Sequence, residues 1–126
     1  MKYSLTTVLL LLTLALGGCT SSHDGIYQAD FATAPAEMSD IASFAGLEAR
    51  ITLTGERTLL EVSVVGAKDR VQGRLCKQGD QLRVSAQYDP CKQAELIFIQ
   101  QANGDLYCSS CAKTAFAPVW RRISTP

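Results

Sequence analysis

The 126-residue chain has one histidine, His23, one tryptophan, Trp120, and four prolines. A single histidine, placed near the start, leaves a Ser-His-Asp triad without a base on the body of the chain. No glycine-rich phosphate loop occurs, and no spacing nominates two facing carboxylates for glycoside hydrolysis. Glu48, Glu61 and Asp69 are scattered over what read as polar strand faces and turns. Charge of one sign is missing too: 12 Lys and Arg balance 12 Asp and Glu, with no basic stripe, which argues against a nucleic-acid partner. The apolar run from Tyr3 to Gly18 is only 16 residues and is interrupted by Ser4, Thr6, Thr7 and Thr13. A bilayer-spanning helix needs about 20 mostly apolar residues. Catalysis, a bound cofactor, nucleic acid and a retained transmembrane helix are therefore not what the sequence points to.

What is present begins with an export signal. Lys2 supplies a positive charge, Val8–Leu12 and Leu14–Leu16 form a short apolar stretch, and small residues end it. Leu16-Gly17-Gly18-Cys19 resembles the lipobox of bacterial lipoproteins. That resemblance implies that residues 1–18 are a signal peptide, that the Cys19 thiol receives diacylglycerol, and that cleavage before Cys19 frees an amine for acylation. Two or three acyl chains hold a protein on a bilayer stably, where one does so only marginally. Thr20 stands where an Asp would favour the inner membrane, so the same resemblance implies an outer-membrane protein facing the periplasm. Residues 19–24 are polar and read as a flexible tether, with His23 a solvated side chain. Residues 25–126 then form one domain, near neutral once Lys2 is lost.

Cys19 apart, that domain holds Cys76, Cys91, Cys108 and Cys111. An even count in an oxidising compartment reads as two disulfides. Neighbour pairing, Cys76 with Cys91 and Cys108 with Cys111, is the simplest. Strand geometry gives it a difficulty, because a strand leaving the turn at Gln78-Gly79 for about eight residues at ~3.3 Å each would carry Cys91 some 25 Å from Cys76. Either that strand is shorter or bent, or Cys91 pairs with Cys108 or Cys111. Metal binding by the four thiolates is the competing use, but zinc sites usually show two close cysteine pairs and only Cys108 and Cys111 are close. Redox use of this Cys-x-x-Cys would need a helix N-terminus or a cation beside it, and Lys113 is near.

Period-two alternation dominates the rest. Strands are expected over Ile26–Phe31, Leu47–Thr54, Leu60–Val64, Arg70–Leu75, Gln81–Tyr88, Leu96–Ile99, Leu106–Cys108 and Val119–Ile123. Gly55-Glu56 marks one turn. Asn103-Gly104 signals a type I′ hairpin that would set Ile99 opposite Cys108 and Leu96 opposite Cys111. Ala34–Phe44 breaks the pattern, with Met38, Ile41 and Phe44 three apart, Pro35 ahead and Gly46 behind. It reads as a short helix that covers the core, or failing that a lid. The fold expected is mainly β: about eight antiparallel strands in a meander that closes into a small barrel, or else a sandwich.

A meander opening on Gly25-Ile26-Tyr27 and closing on Val119-Trp120-Arg121-Arg122 resembles the small lipocalin-like barrels of envelope lipoproteins, the copper-stress lipoprotein family among them. Those barrels often carry Trp where this chain has Tyr27, and the copper-stress family places its Cys-x-x-Cys near the start rather than the end. The resemblance implies architecture and no functional residue. Trp120 reads either as a cap stacked on Arg121 or Arg122 or as a rim aromatic on the core.

The function expected is a lipid-anchored, non-catalytic binding or accessory module, taking a small apolar ligand or an envelope protein partner. Two alternatives stand beside it: a structural or inhibitory component of a larger envelope assembly, and a thiol or soft-metal sensor at Cys108 and Cys111.

Overall fold

The computed structural model describes residues 23–111 and 117–124. Eight strands follow in chain order: β1 (Gly25–Ala29), β2 (Glu48–Thr54), β3 (Arg57–Val64), β4 (Ala67–Gln78), β5 (Gln81–Ser85), β6 (Leu96–Gln100), β7 (Leu106–Cys108) and β8 (Val119–Ser124). Each pairs antiparallel with the next, and β8 returns to β1, so the sheet closes into a barrel. The meander and the barrel are as the alternation foretold; the sandwich is not formed. Along β2, Ala49, Ile51 and Leu53 are buried while Glu48, Arg50 and Thr54 are exposed, because neighbouring side chains of a strand face opposite ways.

Closure rests on β1, whose Tyr27, Gln28 and Ala29 face Arg122, Arg121 and Trp120 of β8. Trp120 belongs to the core: it is fully buried, its indole N–H donates to the Ala117 carbonyl at 2.9 Å, and its ring meets Phe98 edge-on at 5.6 Å. The cation stacked on an aromatic at this seam is Arg122, whose guanidinium lies 5.5 Å from the centre of the Tyr27 ring. Arg122 also donates to the Asp24 carbonyl. Arg121, on the outer face, bridges Asp30 and Asp105 at 3.1 Å each.

His23 is not solvated. It is buried, with Nε2 3.0 Å from the Gly55 carbonyl, while its own carbonyl accepts the Tyr27 hydroxyl at 2.7 Å. Asp24 accepts the Gly55 N–H at 2.8 Å. The tether reading missed this because a polar run carries no record of the turn it lies against. Burial raises the Tyr27 phenol above its ordinary range, opposed by the nearby Arg122 charge.

The helix α1 spans Ala36–Ala45 and stops at Gly46, whose N–H bonds back to Ala42 and Ser43, with Leu47 N–H also on Ala42. Its orientation departs from expectation. Ala42 is the buried residue, whereas Ile41 is 57 % and Phe44 94 % exposed. The short side chain of Ala42 suits close approach, and the bulkier Ile41 and Phe44 are left on the outer side.

Two strand details also differ. Gln100 faces Leu106 and Phe98 faces Cys108, one residue off the expected register. Asn103 does not take positive φ, so no type I′ turn forms; three residues loop between Gln101 and Asp105, which are joined by the Gln101 N–H on the Asp105 carbonyl. β5 ends at Ser85, and Cys91 bonds Cys76 with Cα atoms 5.3 Å apart. Cys108 bonds Cys111. The difficulty with neighbour pairing therefore resolves as a strand shorter than the alternation suggested.

Two outcomes follow for stability. Trp120→Ala should cost about 3–5 kcal/mol in denaturant unfolding, the range for emptying a buried large aromatic site. Cys76→Ser with Cys91→Ser should cost about 3 kcal/mol, the loop-closure value for a cross-link of this span. A loss under 1 kcal/mol in either case would contradict the packing described.

Candidate functional site

The strands differ in height, and the difference makes a site. β3 and β4 have 8 and 12 residues, but β5, β6 and β7 have 5, 5 and 3. β4 pairs with β3 over Ala67–Arg74, yet with β5 only over Arg74–Gln78. Among the described residues, 67–73 thus have a strand neighbour on one side alone. The Leu75 N–H bonds the Glu56 carbonyl across this hairpin. By the alternation of an antiparallel ladder, Gly73, Val71, Asp69 and Ala67 also turn their backbone groups toward β3, and Lys68, Arg70 and Gln72 turn theirs to the open side.

What stops β5 at Ser85 is side-chain chemistry. The Glu95 carboxylate accepts the Ser85 hydroxyl and the Ala86 N–H at 2.8 Å each and the Gln87 N–H at 3.3 Å. The Ser85 hydroxyl oxygen accepts the Tyr88 N–H at 2.9 Å. These bonds offer the backbone of residues 86–88 an alternative to the ladder. The chain then turns back along the barrel, where Arg83 donates to the Pro90 carbonyl and the Cys76–Cys91 bond fixes the loop. A β5 running to Tyr88 would have covered β4 as far as Val71.

Behind the free edge lies a pocket of about 220 Å³, lined by Thr58 and Leu60 of β3, Val71 and Gly73 of β4, Val84 to Ala86, Glu95 and Leu96. Its surface is chiefly apolar. Gly73 has no side chain to fill it, and none would fit: a Cβ there would stand 2.7 Å from Thr58 Oγ1 and 2.9 Å from the Ser85 carbonyl. Val71 is 44 % exposed although it faces inward. Ile41, Phe44, Val64 and Val65 add exposed apolar surface on α1 and the β3–β4 turn, which touch through the Val65 N–H on the Ala45 carbonyl.

The outer face beside this edge carries charge. Glu61 receives Lys68 Nζ at 3.2 Å and Arg70 Nε at 3.3 Å, and the Lys68 hydrogen bond chiefly holds its carboxyl below the usual range. Glu95 is likewise held low, first by the Ala86 N–H and then by the Ser85 hydroxyl.

Of the residues singled out from the sequence, Cys19 lies outside the described residues, as do the signal segment and Lys113. Cys108 and Cys111 are buried in the core as a disulfide, and Cys76 and Cys91 pin the β5–β6 loop. Neither pair meets the pocket. Among the described residues, no group of three His, Cys, Asp or Glu is placed to hold a metal. The pocket residues were not foreseen, since their signal was the point where β5 stops, hidden by alternation that continues to Tyr88. No known protein family, curated protein or solved structure matches this chain.

A depressed carboxylate stabilises the fold above its unfolded pKa of about 4.3, and that stability fades as pH falls through the folded value. Glu95→Gln should therefore lower stability near neutrality and flatten the loss between pH 5 and 3, read by urea unfolding at each pH. Identical pH slopes for the variant and the parent would show that Glu95 does not organise the β5 terminus.

Proposed function

We propose that this chain is a lipid-anchored, non-catalytic binding module of the cell envelope, which takes an apolar group into the pocket between β4, β5 and β6. The observation carrying this reading is the pocket itself: an apolar recess beside a core of packed side chains. Apolar recesses with a few polar groups at the rim are the usual form of a binding site. Here the rim polar groups are Thr58, Ser85 and Glu95.

The lipid anchor is Cys19, through the lipobox likeness, and two disulfides accord with an exported chain. Cys19 is four residues from His23, a reach of at most about 14 Å at ~3.6 Å per residue. The His23 end of the barrel would then sit at the outer-membrane surface, and the free half of β4 stands toward the other end, where α1 lies. A β1–β8 closure with Arg122 over Tyr27 accords with the lipocalin-like resemblance, Tyr27 taking the place of the Trp. Burial of Cys108 and Cys111 favours a structural role for that pair.

A fluorescent fatty-acid probe should bind the purified protein, and Val71→Phe, which fills the recess from a half-exposed position, should weaken it about tenfold, near 1.4 kcal/mol. Absence of probe binding, or equal binding by the variant, would remove the pocket from the function. Cys19→Ala should move the protein from the membrane to the soluble fraction, with loss of the acyl mass from its N-terminus; unchanged membrane partition would remove the anchor.

A further inference from the structure

We propose that the occupant of this site is an extended segment of a protein partner, which adds to β4 as an extra strand and places one apolar side chain in the pocket. The inference rests on the binding reading above and names the partner class. Three features at one place carry it. First, Lys68, Arg70 and Gln72 direct N–H and C=O groups to the open side, a ready template for an incoming strand. Second, about 220 Å³ is below the ~300–1,000 Å³ usual for a drug-sized ligand, and suits a side chain or a short acyl tail. Third, the pocket lies on the inward face of the same strand, lined by Val71 and Gly73, so a strand paired on that edge turns every second side chain toward it.

Charge selects among strands. On the outward face, the new strand's side chains would stand beside Lys68 and Arg70, against which Glu61 is the cross-strand acid. Acidic residues there are favoured and basic ones disfavoured. The segment that fits alternates acidic with apolar residues. A second copy does not fit, because antiparallel pairing of two β4 edges would set Lys68 and Arg70 against the same cations.

The test uses protein purified from the envelope in nanodiscs, with a synthetic peptide alternating Glu with Val and a control alternating Lys with Val. Binding of the Glu peptide should slow amide hydrogen exchange at Lys68, Arg70 and Gln72, and the Lys peptide should bind about tenfold or more weakly. Arg70→Pro removes one edge N–H without touching the β3 ladder, since that N–H points to the open side of β4. It should weaken the Glu peptide about tenfold relative to Arg70→Gln, which keeps the N–H, and leave fatty-acid probe binding unchanged. Probe binding without peptide binding would overturn the strand proposal and leave the pocket reading standing. Failure of both would overturn the pocket reading itself. Protection of the same amides by self-association, with no peptide added, would also overturn the proposal, as would equal binding by Arg70→Pro and Arg70→Gln.

Discussion

An eight-stranded barrel has an interior that side chains only just fill, and the distribution of large residues around this one governs everything else. Tyr27, Phe98 and Trp120 come from β1, β6 and β8, on one side of the sheet, and all three are fully buried. The opposite wall offers Thr58, Leu60, Val71 and Gly73, which are shorter. Three buried aromatic rings occupy the first side. The second is left with space, and Gly73 cannot be enlarged to take it up because Thr58 and the Ser85 carbonyl crowd its Cα. The pocket is thus a consequence of where the rings sit and of a close strand approach that forbids repair.

The same asymmetry marks what could be read from the sequence. Strand number and meander order were legible because Ala49-Ile51-Leu53 and Leu82-Val84 repeat every second residue, and that period is a property of the local chain; it is the same in a barrel and a sandwich, so closure was read only as one of the two. Strand ends were not legible. Ala86 and Tyr88 continue the alternation of β5, yet the Glu95 carboxylate takes the Ala86 and Gln87 N–H groups, and the Ser85 hydroxyl that of Tyr88, out of the ladder. The β6–β7 register slipped by one because Asn103-Gly104 signals a two-residue turn, whereas Asn103 instead accepts the Asp105 N–H on its side chain at 3.0 Å. Side-chain partners that the alternation does not encode decided these cases, at separations from two residues to several. His23 is the plainest: what buries it is the β2–β3 turn, 32 positions away.

Disulfide placement follows the same division. Cys108–Cys111 closes a tight turn within the packed side and is itself core. Cys76–Cys91 ties the returning loop down against β4 and β5, on the side that lacks large residues. A loop that leaves the ladder at Ser85 loses the hydrogen bonds of a continuing strand. The Glu95 hydrogen bonds join the two ends of the loop and the cross-link pins it from within, and together they offset that loss. Both serve to keep the β4 edge uncovered, so the exposed edge is held in place by contacts made elsewhere.

An open strand edge is a hazard, and its safety has to come from the edge itself. Lys68, Asp69 and Arg70 put three consecutive charges along it, one of the known protections against indiscriminate pairing. Asp69 is the informative member, because it faces inward on the β3 register opposite Val62. An inward charge near the top of the barrel repels an apolar strand that slides in too far and tolerates one that stops at Val71. Protection and selectivity therefore coincide in the same three residues: they reject a second copy and a basic segment, and leave admissible a strand that brings acid to Lys68 and Arg70 and one apolar side chain to the recess.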